Sequence, residues 1–333
     1  MRVLITGAAG QDGTILSTLL AREGAQLVGL VKPGTSHERL LQYVPGMQVV
    51  EVDLVDTSSL RKVVVDVSPT LVYNFGGFTA PAESWERAEE VYATNVDSVR
   101  VMLEAAMSLD EPVRFFQASS SHVFEGTDRS PQEENFELSP ASPYAKSKAE
   151  ALSLIRKARQ DKGLFAVSAI LYNHESPLRS DNFVTRKVSM AVARIAAGLQ
   201  SELHLGDIEV ARDWGWAPDY VRAIRLMMEA TVPSDFVLAT GISHRLSFFV
   251  EKAFAAAGIS DWRAYVHAAG SDRPVDTNKM VGDSRRAYLE LGWRHTVDFD
   301  SMAAKMVAHD LEIIKHPDRL WPIPEQVPLS DPR

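Results

Sequence analysis

The chain opens Met1-Arg2-Val3-Leu4-Ile5-Thr6-Gly7-Ala8-Ala9-Gly10-Gln11-Asp12-Gly13, and the reading of this stretch decides the fold. Arg2 to Ile5 is a short apolar, partly β-branched run that reads as a buried strand, and a helical pattern from Thr14 to Arg22 follows the glycines. The glycines at 7, 10 and 13 have separate tasks. Gly7 permits a tight turn, Gly10 lets a pyrophosphate approach the backbone, and Gly13 lets the helix pack on the strand. A phosphate placed there meets a helix N-terminus with free N–H groups. The expectation is a dinucleotide held by Gly7, Gly10, Gln11, Asp12 and Gly13.

The rest of the chain suits such a protein. Its 333 residues, 45% hydrophobic and 24% charged, are enough for one large or two interleaved domains with a sizeable core. A net charge of −9 argues against a nucleic-acid surface, although a local basic pocket could still hold phosphates. The absence of cysteine excludes disulfides, thiolate metal sites and a cysteine nucleophile, and no metal is expected. Met1 leads directly into the first strand and no apolar run of about 18 residues occurs, so the expectation is a cytoplasmic protein with neither signal peptide nor membrane span.

Strand and helix patterns alternate through the first half. Residues 26–31, 47–52, 70–74, 114–118 and 164–171 read as strands, which predicts an α/β fold with a Rossmann-type doubly wound parallel sheet. Beyond Tyr172 the alternation breaks: 173–177 and 182–187 read as polar loops, 188–198 as a helix and 235–240 as a strand returning to the sheet. The expected division is a nucleotide-binding domain of residues 1–172 plus about 212–240, and a smaller interleaved α/β substrate domain of 173–211 and 241–333. The tail from Trp321 is expected to be extended or frayed.

Further cofactor contacts follow from the ends of the strands. Lys32 stands where such folds often carry an acid for the adenosine 2′-hydroxyl, so its cation favours a 2′-phosphate and NADP, with NAD as the alternative. Asp53 and Leu54 close the third strand near the adenine, and Phe75 and Gly76 follow the fourth, where small residues let the backbone approach the pyrophosphate. Asn95 falls inside a helix, where asparagine is a poor helix former, and a bridging role between backbone groups is as good a reading as a direct one.

The fifth strand delivers hydroxyls, Ser119-Ser120-Ser121, to its C-terminal end, followed by His122. Tyr144 and Lys148 lie one turn apart at the start of a long helix. A nearby ammonium lowers a phenol's pKa, so Tyr144 can take a proton from a sugar hydroxyl as hydride leaves its carbon. Arg179, Arg186, Lys187, Arg212 and Arg273 are the basic candidates for a nucleotide diphosphate.

These motifs together resemble the GDP-mannose 4,6-dehydratases among the extended short-chain dehydrogenase/reductases. The similarity runs through ITGAAGQDG, QASSS, SPYAKSK, YNHESPLRSDNFVTRKVS, LGDIEVARDWG and DFVLATG. The resemblance implies a tightly held NADP, oxidation at C4 of a nucleotide sugar, loss of water across C5 and C6, and return of hydride to C6. It implies Tyr144 and Lys148 as the catalytic pair, Ser120 at the sugar O4 with Ser121 beside it, and a substrate nucleotide held by Asn173, Val184, Lys187, Arg212 and Arg273. Thr79, Glu175, Asn182 and Asp276, the last where the family has Glu, complete the expected substrate contacts. A homodimer or homotetramer is the implied assembly.

The chain also departs from the family. Where the family has a hydroxyl residue, Ser and Glu, this chain has Ser120-Ser121-His122, so the expected C5 base is a histidine. Near neutral pH an ordinary histidine, with a pKa of roughly 6.5, is largely neutral and can accept a proton; the plainer reading is a residue that only shapes the pocket. Polar residues after the fourth strand are replaced by Gly77-Phe78-Thr79-Ala80-Pro81, and the loop after Lys32 lacks a second arginine. Three readings stay open: a dehydratase, including one whose hydride returns to C4 and leaves a 5,6-ene on a nucleotide sugar or nucleoside; an epimerase or 4-keto reductase; and a cofactor-binding regulator without turnover.

Overall fold

The computed structural model describes residues 1–269 and 280–324. Its strands are β1 Arg2–Thr6, β2 Gln26–Val31, β3 Gln48–Glu51, β4 Leu71–Asn74, β5 Arg114–Ala118, β6 Phe165–Leu171, β7 Asn173–Glu175, β8 Leu203–Leu205, β9 Ala211–Trp216, β10 Asp235–Leu238, β11 Ser243–Arg245 and β12 Val266–Ala268. Seven of them form one parallel sheet in the order β10-β6-β5-β4-β1-β2-β3. Val3, Leu4 and Ile5 are fully buried because helices cover both faces of the sheet, which is why the run does not alternate with polar residues.

The strand order reverses between β1 and β4, and the crevice outside the C-terminal ends at such a point is where open α/β sheets bind ligands. Two glycines make this crevice possible. Gly7 has φ +64°, and a Cβ on it would stand 2.9 Å from Gly76 N. A Cβ on Gly13 would stand 2.4 Å from the Gly7 carbonyl oxygen, so no other residue lets the helix Gln11–Arg22 come this close to the turn.

Beyond Tyr172 the chain leaves the main sheet. A second, three-stranded sheet runs β11-β9-β7, with β9 parallel to β7 and antiparallel to β11, and β8 pairs with β12. The helix Phe299–Lys315 packs against the helices Val184–Ala196 and Leu246–Ala256. No helix among the described residues is long and apolar enough to cross a membrane.

The structure differs from the sequence reading in four places. Asn173 to Glu175, read as loop, is a strand, because its hydrogen-bonding partner β9 lies far along the chain. The first helix after it begins at Val184 rather than Val188: its polar first turn is absorbed by tertiary bonds, Thr185 Oγ1 donating to Glu175 Oε2 at 2.7 Å and the buried Arg186 pairing with Asp310. Residues 212–216, expected with the nucleotide-binding part, belong to the smaller sheet. Trp321 and Ile323 are packed rather than frayed, Trp321 meeting Trp216 edge-on at 5.5 Å.

Candidate active site

Two spaces meet at the C-terminal end of the main sheet. A groove of about 550 Å³ runs past Gly7, Gly10, Lys32, Asp53, Leu54 and Gly76. A cavity of about 270 Å³ is lined by Asp12, Ser120, Ser121, His122, Tyr144, Lys148, Asn173 and Arg179, among others. Phe75 and Thr79 line both, so the two are continuous.

The groove fits a dinucleotide. Gly10 caps the helix Gln11–Arg22 with no side-chain bond to its first N–H groups, which are therefore available to a pyrophosphate. The cradle at Gly7 and Gly13 is one that a Cβ would fill. Lys32 and Asp53 stand at the end of the groove formed by β2 and β3.

Buried polar bonds hold the floor below the two spaces. Thr6 Oγ1 bonds Asn74 Oδ1 and accepts from Gly76 N at 2.8 Å; Asn74 Nδ2 donates to Gln117 Oε1 at 2.7 Å, and Gln117 Nε2 to the Ala118 carbonyl at 2.9 Å. That carbonyl also accepts from Lys148 Nζ at 3.3 Å. Asn95 lies in a π-turn, Ala93–Asp97, a distortion that often marks functional sites. Its Oδ1 accepts from Phe78 N at 2.8 Å and its Nδ2 donates to Ser147 Oγ at 2.9 Å, joining the groove loop to the helix of Tyr144 and Lys148.

That helix, Pro143–Lys162, starts with Pro143 at its first position and Ser142 as N-cap, whose Oγ accepts from Ala145 N at 3.2 Å. Tyr144 in its first turn and Lys148 one turn on enter the cavity, both buried. Here the electrostatics depart from expectation. Burial raises the Tyr144 phenol above its ordinary pKa and outweighs the opposing pull of the Ser120 hydroxyl. Burial also brings Lys148 down to about 8, and its Nζ lies 5.8 Å from the Tyr144 ring centre. The lysine is thus a cation poised near neutrality more than a strong lever on the phenol.

His122 stands edge-on to Tyr144, ring centres 5.5 Å apart, on the short 3₁₀ turn Ser121–Phe124. In the same cavity His174 Nδ1 donates to the Tyr172 carbonyl at 2.7 Å and Nε2 meets Asp12 Oδ2 at 2.9 Å. Both ring nitrogens face acceptors, which describes an imidazolium against a carboxylate. Burial opposes charge on either, but mutual attraction prevails: Asp12 is lowered and His174 raised.

The other expected residues have varied positions. Gln11 is buried, its Nε2 donating to the His174 carbonyl at 3.0 Å and its Oε1 accepting from Ser176 Oγ at 2.8 Å. Glu175 is shut away from the cavity, its Oε2 3.3 Å from Arg179 Nε. Asn182 lines the groove rather than the cavity. Val184 opens its helix, Lys187 Nζ donates to the His204 carbonyl at 2.7 Å, and Arg212 Nη1 donates to the Ala211 carbonyl at 2.8 Å; none of the three lines either space. Arg186 is withdrawn from any phosphate by its pairing with Asp310. Arg273 and Asp276 lie outside the described residues. His174, and the carboxylate of Glu125 near His122, had no assigned role in the sequence reading, although a 3₁₀ turn brings positions 122 and 125 to one side.

The fold and these two spaces define a dinucleotide-binding protein of the extended short-chain dehydrogenase/reductase type. The family described as GDP-mannose 4,6 dehydratase matches residues 4–306, and the chain belongs to that family. GDP-mannose 4,6 dehydratase 2 of Arabidopsis thaliana is 37% identical, covering 94% of this chain and 87% of its own length; the Homo sapiens GDP-mannose 4,6 dehydratase is 36% identical over 94% and 92%. The Vibrio cholerae GDP-mannose 4,6-dehydratase is 32% identical over 99% of each. Among solved structures, the Thermus thermophilus UDP-glucose 4-epimerase in complex with NAD is similar at a TM-score of 0.81, with 25% identity over 93% of this chain and 99% of that one. RMD from Pseudomonas aeruginosa, complexed with NADPH, has a TM-score of 0.77 and 21% identity over the same shares, a likeness of fold alone.

Proposed function

We propose that the chain is a sugar-nucleotide dehydratase that uses NADP, with His122 in place of a carboxylate as the C5 base. The observation that carries this reading is the convergence of Ser120, His122, Tyr144 and Lys148 on one cavity continuous with the dinucleotide groove. A nicotinamide dinucleotide supplies hydride acceptance at C4 and its later return. Gly7, Gly10, Lys32 and Asp53, which line the groove, would hold it there. Tyr144 takes the proton of the C4 hydroxyl, which Ser120 orients, and the Lys148 charge offsets the negative charge that develops on the phenol. The ketone so formed acidifies C5, whose proton His122 removes and then gives, as the imidazolium, to the departing C6 hydroxyl, so that the C–O bond breaks and water leaves. Arg179, its guanidinium 3.5 Å over the Phe183 ring and anchored on Glu175, supplies positive charge to the wall where a diphosphate would pass.

The test uses GDP-mannose, NADP and deuterated water. The wild-type protein is expected to release water from the sugar, giving a 4-keto-6-deoxy product; a 5,6-ene formed instead has the same mass and is told apart by its vinyl signals in NMR, where the expected product shows a ketone and a methyl group. His122→Ala should still oxidise C4 but exchange no deuterium at C5, and His122→Glu should restore part of the elimination. Undiminished water loss in His122→Ala would place the base elsewhere, and a C4-inverted sugar with no water lost would make the protein an epimerase.

A further inference from the structure

We infer that Glu125 is a positioning residue for His122, fixing which ring nitrogen carries the proton. The inference rests on the reading of His122 as the C5 base.

The 3₁₀ turn has three residues per repeat, so the side chains at 122 and 125 project to one side. His122 Nδ1 is cut off from solvent, has no formed hydrogen bond among the described residues, and lies 3.5 Å from Glu125 Oε1. The carboxylate is itself held: its other oxygen accepts from Ser142 N at 3.1 Å and from Ser142 Oγ at 2.9 Å. The His122 contact and these bonds, against the opposing effect of burial, bring Glu125 down to about 2, so it is a carboxylate throughout the working range. A fixed anion beside Nδ1 keeps the proton there and leaves Nε2, on the far edge of the ring, as the lone pair for the cavity. After His122 has accepted the C5 proton at Nε2, the same carboxylate faces an imidazolium and stabilises it. Approaches of this length often tighten only when a ligand is bound. Ser142 is also the N-cap of the helix bearing Tyr144, so one carboxylate sets the base in register with the phenol.

Nitrogen-15 NMR of the histidine-labelled full chain reads the tautomer without any substrate, the His122 signal being the one lost in His122→Gln. At a pH well above the ordinary histidine pKa of about 6.5, the wild type should show the Nδ1–H form. Glu125→Ala should move His122 to the Nε2–H form, and Glu125→Asp should keep Nδ1–H in part. With GDP-mannose as the probe in deuterated water, Glu125→Ala should slow C5 exchange about tenfold or more, with partial recovery in Glu125→Asp and C4 oxidation maintained. A His122 tautomer that is the same in the wild type and in Glu125→Ala overturns the inference, as does Nε2–H in the wild type. Slower turnover with an unchanged tautomer would mean that Glu125 only supports the helix start. If GDP-mannose is not processed at all, the proposed function fails, while the tautomer still decides the role of Glu125.

Discussion

Lys148 Nζ donates to the Ala118 carbonyl oxygen at 3.3 Å, which ties a buried ammonium to the end of β5. One carbonyl does not replace water for a cation, and burial alone brings the lysine to about 8. Against about 10.4 in the unfolded chain, this corresponds to roughly 3 kcal/mol by which the charged lysine destabilises the fold at neutral pH. The penalty is full below the folded value, and between about 8 and 10.4 the unfolded chain binds more protons, so stability attributable to this group rises with pH there. Lys148→Met should therefore unfold at higher denaturant than the wild type at pH 7, with the gap closing toward pH 10, while turnover is lost. A wild type that is the more stable of the two at pH 7 would refute this.

Tyr144→Phe keeps the ring packed against Lys148 and beside His122 and removes only the hydroxyl. Turnover should fall by about two orders of magnitude or more with cofactor binding maintained, as measured by equilibrium titration alongside rates. A loss of under tenfold would remove Tyr144 from the proton transfer.

Lys32 lines the groove where β2 ends. If it meets a 2′-phosphate, NADP should bind about tenfold more tightly than NAD, the ~1.4 kcal/mol of one charge-assisted contact, and Lys32→Ala should erase the difference. Equal affinities in the wild type would show that Lys32 serves only solvent.

The Asp12–His174 pair predicts a window of stability. Burial acts to lower His174, but Asp12 and the Tyr172 carbonyl leave it raised, so its stabilising share is full below the ordinary histidine value and is lost as pH rises through the folded value. Burial likewise acts to raise Asp12, yet His174, Arg179 and Gln11 leave it lowered; its share is full above the ordinary carboxylate value and is lost as pH falls through the folded one. The melting-temperature difference between wild type and Asp12→Asn should be largest at about pH 5–6, between the two ordinary values, and shrink at alkaline pH. A difference that stays flat from acid to alkali would show that the pair is not charged.

What the sequence disclosed was local. The glycine spacing from Gly7 to Gly13, the apolar strands and the Tyr144–Lys148 helical turn are written within a few residues, and the main sheet followed from them. What it hid depends on distant partners. Arg186 resembled a phosphate ligand until Asp310, 124 residues on, claimed it. The strand at Asn173 exists only because β9 pairs with it. His174 acquired its charge from Asp12, 162 residues earlier. The lowered phenol expected from Lys148 failed because burial, a property of the whole fold, raises Tyr144 by more than the Ser120 hydroxyl and Arg179 lower it.

A single residue, Tyr172, separates β6 in the large sheet from β7 in the small one. Its N–H donates to the Leu238 carbonyl at 3.0 Å, its hydroxyl to Gln132 Oε1 at 2.6 Å, and its ring lines the cavity. The reaction chamber is thus built across a seam with no slack in it. A swing of one sheet against the other would have to shear the chamber wall itself, so at this seam the architecture resists gaping.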